Sequence, residues 1–328
     1  HHLLYDGWSL PVLMEEFLTT YKRLTQNQTP QITQEDRYED YIKYLSNQDS
    51  HKANAYWKNY LEGLSQPTVL PFLTTATEAT KGIGTYGEYQ IQTDEALGLE
   101  IKSYTKSQRI TTNTLIQQSW AELLHRYTGS DDVVFGAVVS GRPDDLSQIE
   151  KRVGLYINTI VVRSMNSGDQ TISECLNKLQ QQQIESRQYQ YTPLREVQQG
   201  WQGNLFDSLL VFESYPVNEL IAQTDWGLKV ENVEMHEQTN YPLTIKVSGD
   251  ERLSITFSYN QDLIQKESIS RVAGHFIKVL EQITKKNRFG EIEILTEADQ
   301  EQLTAFNQTE QPYHTNQTVL DLIKEQTK

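Results

Sequence analysis

The 328-residue sequence has a single cysteine, Cys175, which excludes an internal disulfide and a cysteine-based zinc site and fits a reducing, cytoplasmic compartment. Basic residues are in deficit, 29 Lys+Arg against 44 Asp+Glu for a formal charge of −15. No basic stretch offsets that deficit, so a nucleic-acid partner is not expected. No apolar run approaches the roughly eighteen residues that span a bilayer, so neither a transmembrane helix nor a membrane partner is expected. The phosphate-cradling GxxxxGK[ST] loop and the dinucleotide fingerprint are both missing, which leaves no motif for ATP or a nicotinamide cofactor. A signal peptide is not expected, and no internal repeat is visible. The chain opens on His1 rather than Met, as expected of a segment of a longer chain.

What is present suffices for a folded protein. Hydrophobic residues make up 37% of the chain, and 5 Trp, 18 Tyr and 9 Phe run through its whole length, enough to fill real cores. The length suits two ordinary domains or one two-lobed unit. Ser9 stands where a helix cap would, with Pro11 just inside the helix, and Leu13, Phe17, Tyr21 and Leu24 predict its buried stripe. Helical spacing predicts further helices over Asp36–Ser46 and Ser50–Leu61, the latter stopped by Gly63. Residues 65–86 read as a crossover or linker. The clearest helix runs from Thr112, its expected cap, to Thr128, with Gly129 closing it. Strands are predicted at Gly87–Ile91, Val133–Val139, Ile157–Arg163, Asp207–Tyr215, Leu228–Met235, Leu243–Val247 and Leu253–Tyr259, the last two joined by a Gly249-Asp250 turn. An amphipathic helix carries Ile269, Val272, Phe276, Val279 and Ile283. The Gln181–Gln183 run is expected on a solvated helix face. Mixed helices and strands without strict alternation predict a layered α/β sandwich with a mixed sheet.

The opening His1-His2-Leu3-Leu4-Tyr5-Asp6-Gly7 admits three readings. It could be the remnant of an affinity tag, although tags are not followed by a structured Asp-Gly-Trp-Ser. It could be a metal site, but adjacent strand residues point apart and no further His or carboxylate cluster sits nearby. Or one imidazole could serve catalysis while the carboxylate four residues on holds the local backbone. The five other histidines (51, 125, 236, 275 and 314) read as packed or solvated side chains.

This motif resembles the HHxxxDG motif of condensation domains of nonribosomal peptide synthetases, and the resemblance continues along the chain. Tyr38-Glu39-Asp40-Tyr41 is similar to the tyrosine-rich helix that follows the motif in that family. Val139-Ser140-Gly141-Arg142-Pro143 resembles its Ser-Gly-Arg-Pro segment, and Val153-Gly154-Leu155-Tyr156-Ile157-Asn158-Thr159 through Arg163 its VGxxxNTxxxR motif. Phe206–Glu213 and Asn240-Tyr241-Pro242-Leu243 resemble later signatures. From Leu295-Thr296-Glu297-Ala298 onward the chain is similar to the linker and first helix of an adenylation domain. Motifs that precede the histidines in that family are absent. Tyr189-Gln190-Tyr191-Thr192-Pro193-Leu194 stands where the family has HQDxPF, with tyrosines in place of its histidine and aspartate, so that segment is expected to be structural.

The resemblance implies a chloramphenicol-acetyltransferase-like, two-lobed α/β sandwich with its first lobe incomplete. Residues 1–80 would belong to the first lobe, 81–294 would form the second, and 295–328 would lead into adenylation sequence. It implies peptide-bond formation between thioesters carried by upstream and downstream peptidyl carrier proteins, in antibiotic or other secondary-metabolite synthesis. Those carriers would supply the phosphopantetheine arms, and the chain would bind no cofactor or metal directly. His2 is the candidate catalytic imidazole, as base or as orienter of the amine, and His1 a packing residue. Asp6 is expected to be architectural, with Arg142 as its candidate partner or else an ordinary loop arginine. Gly7 would offer an N–H to the oxyanion or simply permit the turn. Asn158 would bind backbone groups between the lobes or be an amide satisfied by main chain. Without the earlier motifs, the piece alone is expected to show at most trace activity. An epimerization domain is the nearest rival, but its motif continues Ser-Trp-Arg where Ser9 here is followed by Leu10-Pro11. A free-standing acyltransferase and a silent carrier-docking module are the others.

Overall fold

The computed structural model describes residues 3–30, 37–73, 83–166, 170–201, 203–213, 226, 228, 238–310 and 318–327. They fall into two compact units, 1–293 and 294–328. In the first, α1 (Ser9–Thr25), α2 (Tyr38–Ser46) and α3 (Ser50–Tyr60) precede the strand β1 (Tyr86–Gln92). Next come α4 (Glu95–Gln108), α5 (Thr112–Thr128), β2 (Asp132–Val139), β3 (Asn158–Met165), α6 (Ile172–Ser186) and the single turn α7 (Leu194–Val197). The unit ends with β4 (Ser208–Glu213), β5 (Leu243–Ser248), β6 (Ser254–Asn260) and α8 (Lys266–Ile283). The second unit holds α9 (Glu297–Asn307) and α10 (Val319–Gln326). Each of these two helices opens on a capping box, Thr296 with Asp299 and Thr318 with Asp321, which satisfies donors that a helix start leaves free.

The strands form one mixed six-stranded sheet in the order β1-β6-β5-β4-β2-β3. The β4 pairings to β2 and β5 are parallel and the others antiparallel, so the expected mixed α/β class is what the chain adopts. Helix α5 packs on β2, flanked by α4, α6 and α8. Its Trp120 is fully buried, meets Phe276 of α8 edge-on and donates its indole N–H to Ser208 Oγ at 3.1 Å. A β-branched and aromatic strand such as Val133-Val134-Phe135 can then be buried on both faces, as its unbroken apolar run requires.

Several expectations need correction. The cap of α5 is Thr111, not Thr112: Thr111 keeps an extended backbone and its side chain accepts from Thr114 N, while Thr112 is already helical. Likewise Ser9 is the first helical residue of α1 rather than its cap. Of α1's apolar residues only Leu18 is buried; Phe17 is 62% and Leu24 56% exposed, and Tyr21 is also exposed. Periodicity marks an apolar stripe but says nothing about which surface covers it. Gln183 is half-buried rather than solvated, exchanging side-chain hydrogen bonds with Thr114 and Gln117 of α5. Helix α4 went unpredicted, although Asp94 caps it by accepting from Leu97 N at 2.7 Å. Leu228 lies outside any strand, and the rest of the strand expected over Leu228–Met235 lies outside the described residues. His125 and His275 are buried and hydrogen-bonded, His51 is exposed, and His236 and His314 lie outside the described residues. No helix among the described residues is long and apolar enough to cross a membrane.

Candidate active site

The chain enters α1 through a tight turn in which Ser9 N donates to Asp6 O and Leu10 N to Gly7 O. Asp6 is fully buried, so its carboxylate must be matched by donors from protein. Oδ1 accepts from Ser9 N at 3.0 Å and Ser9 Oγ at 2.9 Å, the local bonds that a helix-capping carboxylate makes. Oδ1 also receives Arg142 Nη2 at 2.9 Å, and Oδ2 receives Tyr156 N at 3.0 Å. Asp6 N in turn donates to Gly154 O at 3.0 Å. Ser9 Oγ, within 3.0 Å of Gly154 O, also accepts from Gly154 N at 3.1 Å.

Arg142 closes this knot from the loop that follows β2. It is 7% exposed, and its Nη1 reaches the carbonyls of Ile149 and Arg152 while the guanidinium carbon sits 4.4 Å from the Tyr156 ring centre. The planar fork of an arginine suits this double duty, holding a carboxylate on one nitrogen and main-chain carbonyls on the other. Gly141 adopts φ +60, and a Cβ there would overlap the Tyr156 carbonyl oxygen. A Gly141→Ala substitution combines left-handed strain with that overlap, so a loss of about 2 kcal/mol or more in urea denaturation is expected. An unchanged midpoint would show that the loop has room to move.

An aromatic cluster backs the knot. Tyr41, 6% exposed, lies 4.8 Å from the Tyr156 ring centre, and Tyr38 meets Tyr156 edge-on at 5.3 Å. Burial pushes the Tyr41 hydroxyl up to about 12, so it stays protonated. Arg152 ties α2 to the same segment through Arg37 O and, at 3.5 Å, Asp40.

Asn158 belongs to a neighbouring knot. Its Nδ2 donates to Gln190 O and Thr192 O, both at 2.7 Å, and its Oδ1 accepts from Thr159 N. The amide is thus satisfied by main chain while binding the start of β3 to the segment Tyr189–Leu194. Tyr189 stacks on Tyr56 at 4.4 Å and its carbonyl accepts from Trp57 Nε1. Tyr191 instead lines a cleft of about 350 Å³ that Arg142, Asp144 and Arg187 share. Arg163, at the far end of β3, grips Asp132 with two bonds and the carbonyls of Tyr60 and Glu62.

Of the residues singled out in the sequence, Asp6, Gly7 and Arg142 converge and Asn158 stands apart. His1 and His2 lie outside the described residues. Ser9, Tyr38, Gly154 and Tyr156 were missed as members of the site. All four stand in the motifs already quoted, which was the available signal, but their pairings cross more than a hundred residues. Among the described residues no group of three or more His, Cys, Asp or Glu is placed to hold a metal ion.

The family model for the condensation domain matches residues 1–304. A linear gramicidin synthase of Brevibacillus parabrevis is 36% identical over 321 residues, covering 95% of this chain and 6% of that protein. Bacitracin synthase 3 of Bacillus licheniformis is 33% identical over 338 residues, covering 100% of this chain and 5% of that protein. The chain thus spans only a small part of the curated relatives it matches. Among solved structures, the first condensation domain of the CDA synthetase is similar with a TM-score of 0.73 at 16% identity, over 90% of this chain and 66% of that one. The X-domain from teicoplanin biosynthesis gives 0.72 at 20% identity, over 90% of this chain and 70% of that one. With the family matched over nearly the whole length and its Asp-Gly turn locked to the Gly-Arg-Pro loop, the chain belongs to the condensation-domain family.

Proposed function

We propose that this domain forms a peptide bond inside a nonribosomal peptide synthetase. The α-amine of an aminoacyl thioester on a downstream carrier protein attacks the carbonyl of a donor thioester on an upstream carrier. The C–N bond forms, the C–S bond breaks, and the donor's thiol leaves with the proton that the amine gives up. Both substrates arrive on phosphopantetheine arms of carrier proteins, and this chain holds no cofactor. His2 serves the reacting amine as base or orienter; Asp6, with Arg142, holds the turn that follows the histidines in sequence; Gly7 permits that turn.

The observation that carries this reading is the buried Asp6–Arg142 pair, because it joins the histidine motif to the Gly-Arg-Pro and Val-Gly motifs in one structure. A fully buried ion pair with all its main-chain partners fixes geometry, which is what an acyl transfer between two tethered substrates needs first. We further propose that residues 1–80 and 81–294 are parts of two lobes and that 295–328 lead into an adenylation domain. The division between compact units at residue 293 and the capped helix that follows support that boundary.

The test is single-turnover condensation by a synthetase carrying this domain, with donor and acceptor carriers loaded and the carrier-bound products read by mass. Dipeptidyl product on the acceptor carrier is expected. Epimerised donor without transfer, or no product from competent carriers, would overturn the assignment.

A further inference from the structure

We propose that Tyr38 is a positioning residue for the Asp6-Gly7 turn. The inference rests on the proposed condensation chemistry and adds to it a part in holding the site.

The three residues Gly154, Leu155 and Tyr156 form no regular strand, yet their main chain receives Asp6 from two directions: Asp6 N donates to Gly154 O and Tyr156 N donates to Asp6 Oδ2. Ser9 Oγ engages Gly154 as well. Where this segment lies therefore sets where Asp6 lies, and Asp6 is four residues from His2. An irregular segment needs a brace on its other side, because nothing in a sheet ladder holds it. Tyr38 is that brace. Its hydroxyl donates to Leu155 O at 2.6 Å, and its ring fills the space over Gly154 so closely that a Cβ there would overlap it. Gly154 is thus the one residue type that lets both Ser9 and the Tyr38 ring approach. Tyr38 itself is fixed by its place at the start of α2, whose neighbouring Arg37 carbonyl accepts from Arg152. Burial and the charge of Asp6 both raise the phenol's pKa, so the hydroxyl remains a donor throughout the working pH range.

The ring and the hydroxyl can be separated by Tyr38→Phe, which keeps the packing and removes only the bond to Leu155 O. A displacement of about 1 Å at a reacting group can slow a reaction by up to about 10²-fold, and a segment released on one side should move by less. In the synthetase carrying this domain, Tyr38→Phe is expected to lower kcat by roughly 5–20-fold with KM for both loaded carriers unchanged and the melting temperature within about 2 °C. In an Asp6→Asn background the same change should have little further effect, since the turn is already released.

Three results would overturn the inference. One is a Tyr38→Phe rate within twofold of the parent while His2→Ala, assayed in parallel, is slow. Another is a loss that multiplies in full with that of Asp6→Asn. The third is a fall of 10 °C or more in melting temperature, on the order of a broken core, which would make Tyr38 a general stabiliser. If instead His2→Ala retains full rate while Tyr38→Phe is slow, the proposed role of His2 fails and not that of Tyr38.

Discussion

On the proposed condensation chemistry, replacing His2 by alanine in a synthetase carrying this domain should slow single-turnover condensation by about 10²-fold or more, the ordinary contribution of a positioned acid–base group. The magnitude follows from what the reaction lacks. The thioester is already activated, and an α-amine with a pKa of about 7.7–8.0 is partly neutral near pH 7, so the uncatalysed step is not blocked by protonation. Holding two tethered substrates in line can supply about 7–11 kcal/mol. A factor of about 10²–10⁴ from proton transfer corresponds to only about 3–5 kcal/mol. Positioning is therefore the larger contribution, and a His2→Ala variant should retain measurable turnover because its carriers still dock. A loss smaller than about fivefold would show that orientation is the whole mechanism and that the imidazole moves no proton.

The second large effect is expected on stability. Asp6→Ala strands Arg142, which is 7% exposed and whose charge then has no carboxylate; removing one member of a buried pair costs about 3–5 kcal/mol. The bonds that Tyr156 N and Ser9 Oγ make to the carboxylate go at the same time, while Ser9 N keeps the Asp6 carbonyl. A fall in melting temperature on the order of 10 °C is expected, together with loss of condensation. Arg142→Ala should do similar damage by freeing the carbonyls of Ile149 and Arg152. The double alanine variant should lose less than the two singles added together, by about 1–3 kcal/mol, because the pair is shared. Additivity within about 0.5 kcal/mol would mean that the two side chains act separately, and the architectural role of Asp6 would have to be abandoned.

The amino-acid pattern carried a good deal of this. The helix expected between Thr112 and Thr128 is α5, with its cap one residue earlier than expected, because its apolar spacing is long and regular and Gly129 takes the left-handed φ that ends it. The β5–β6 hairpin was equally legible, since a Gly-Asp turn between two alternating runs leaves little choice of pairing. By contrast α1 was read with the wrong residues buried. Phe17, Tyr21 and Leu24 have the spacing of a core face, yet they are exposed among the described residues. Ser9 has a cap's place in the sequence because serine before an apolar run usually caps it; here its hydroxyl is drawn instead to Asp6 close by and to Gly154, which lies within reach only once the chain has folded.

By itself, then, the order of residues settled the secondary structure of the strongly periodic segments, the α/β class and the presence of a histidine motif, because each depends on neighbours a few positions apart. Only the tertiary structure decided that Asp6 takes Arg142 as its partner, 136 positions away, that Tyr38 braces Leu155 and that Asn158 ties down the tyrosine segment instead of joining the Asp6 knot. Those choices are made by burial. Once a carboxylate is cut off from water it must find every donor it needs in protein, and which donors are available depends on how distant segments pack.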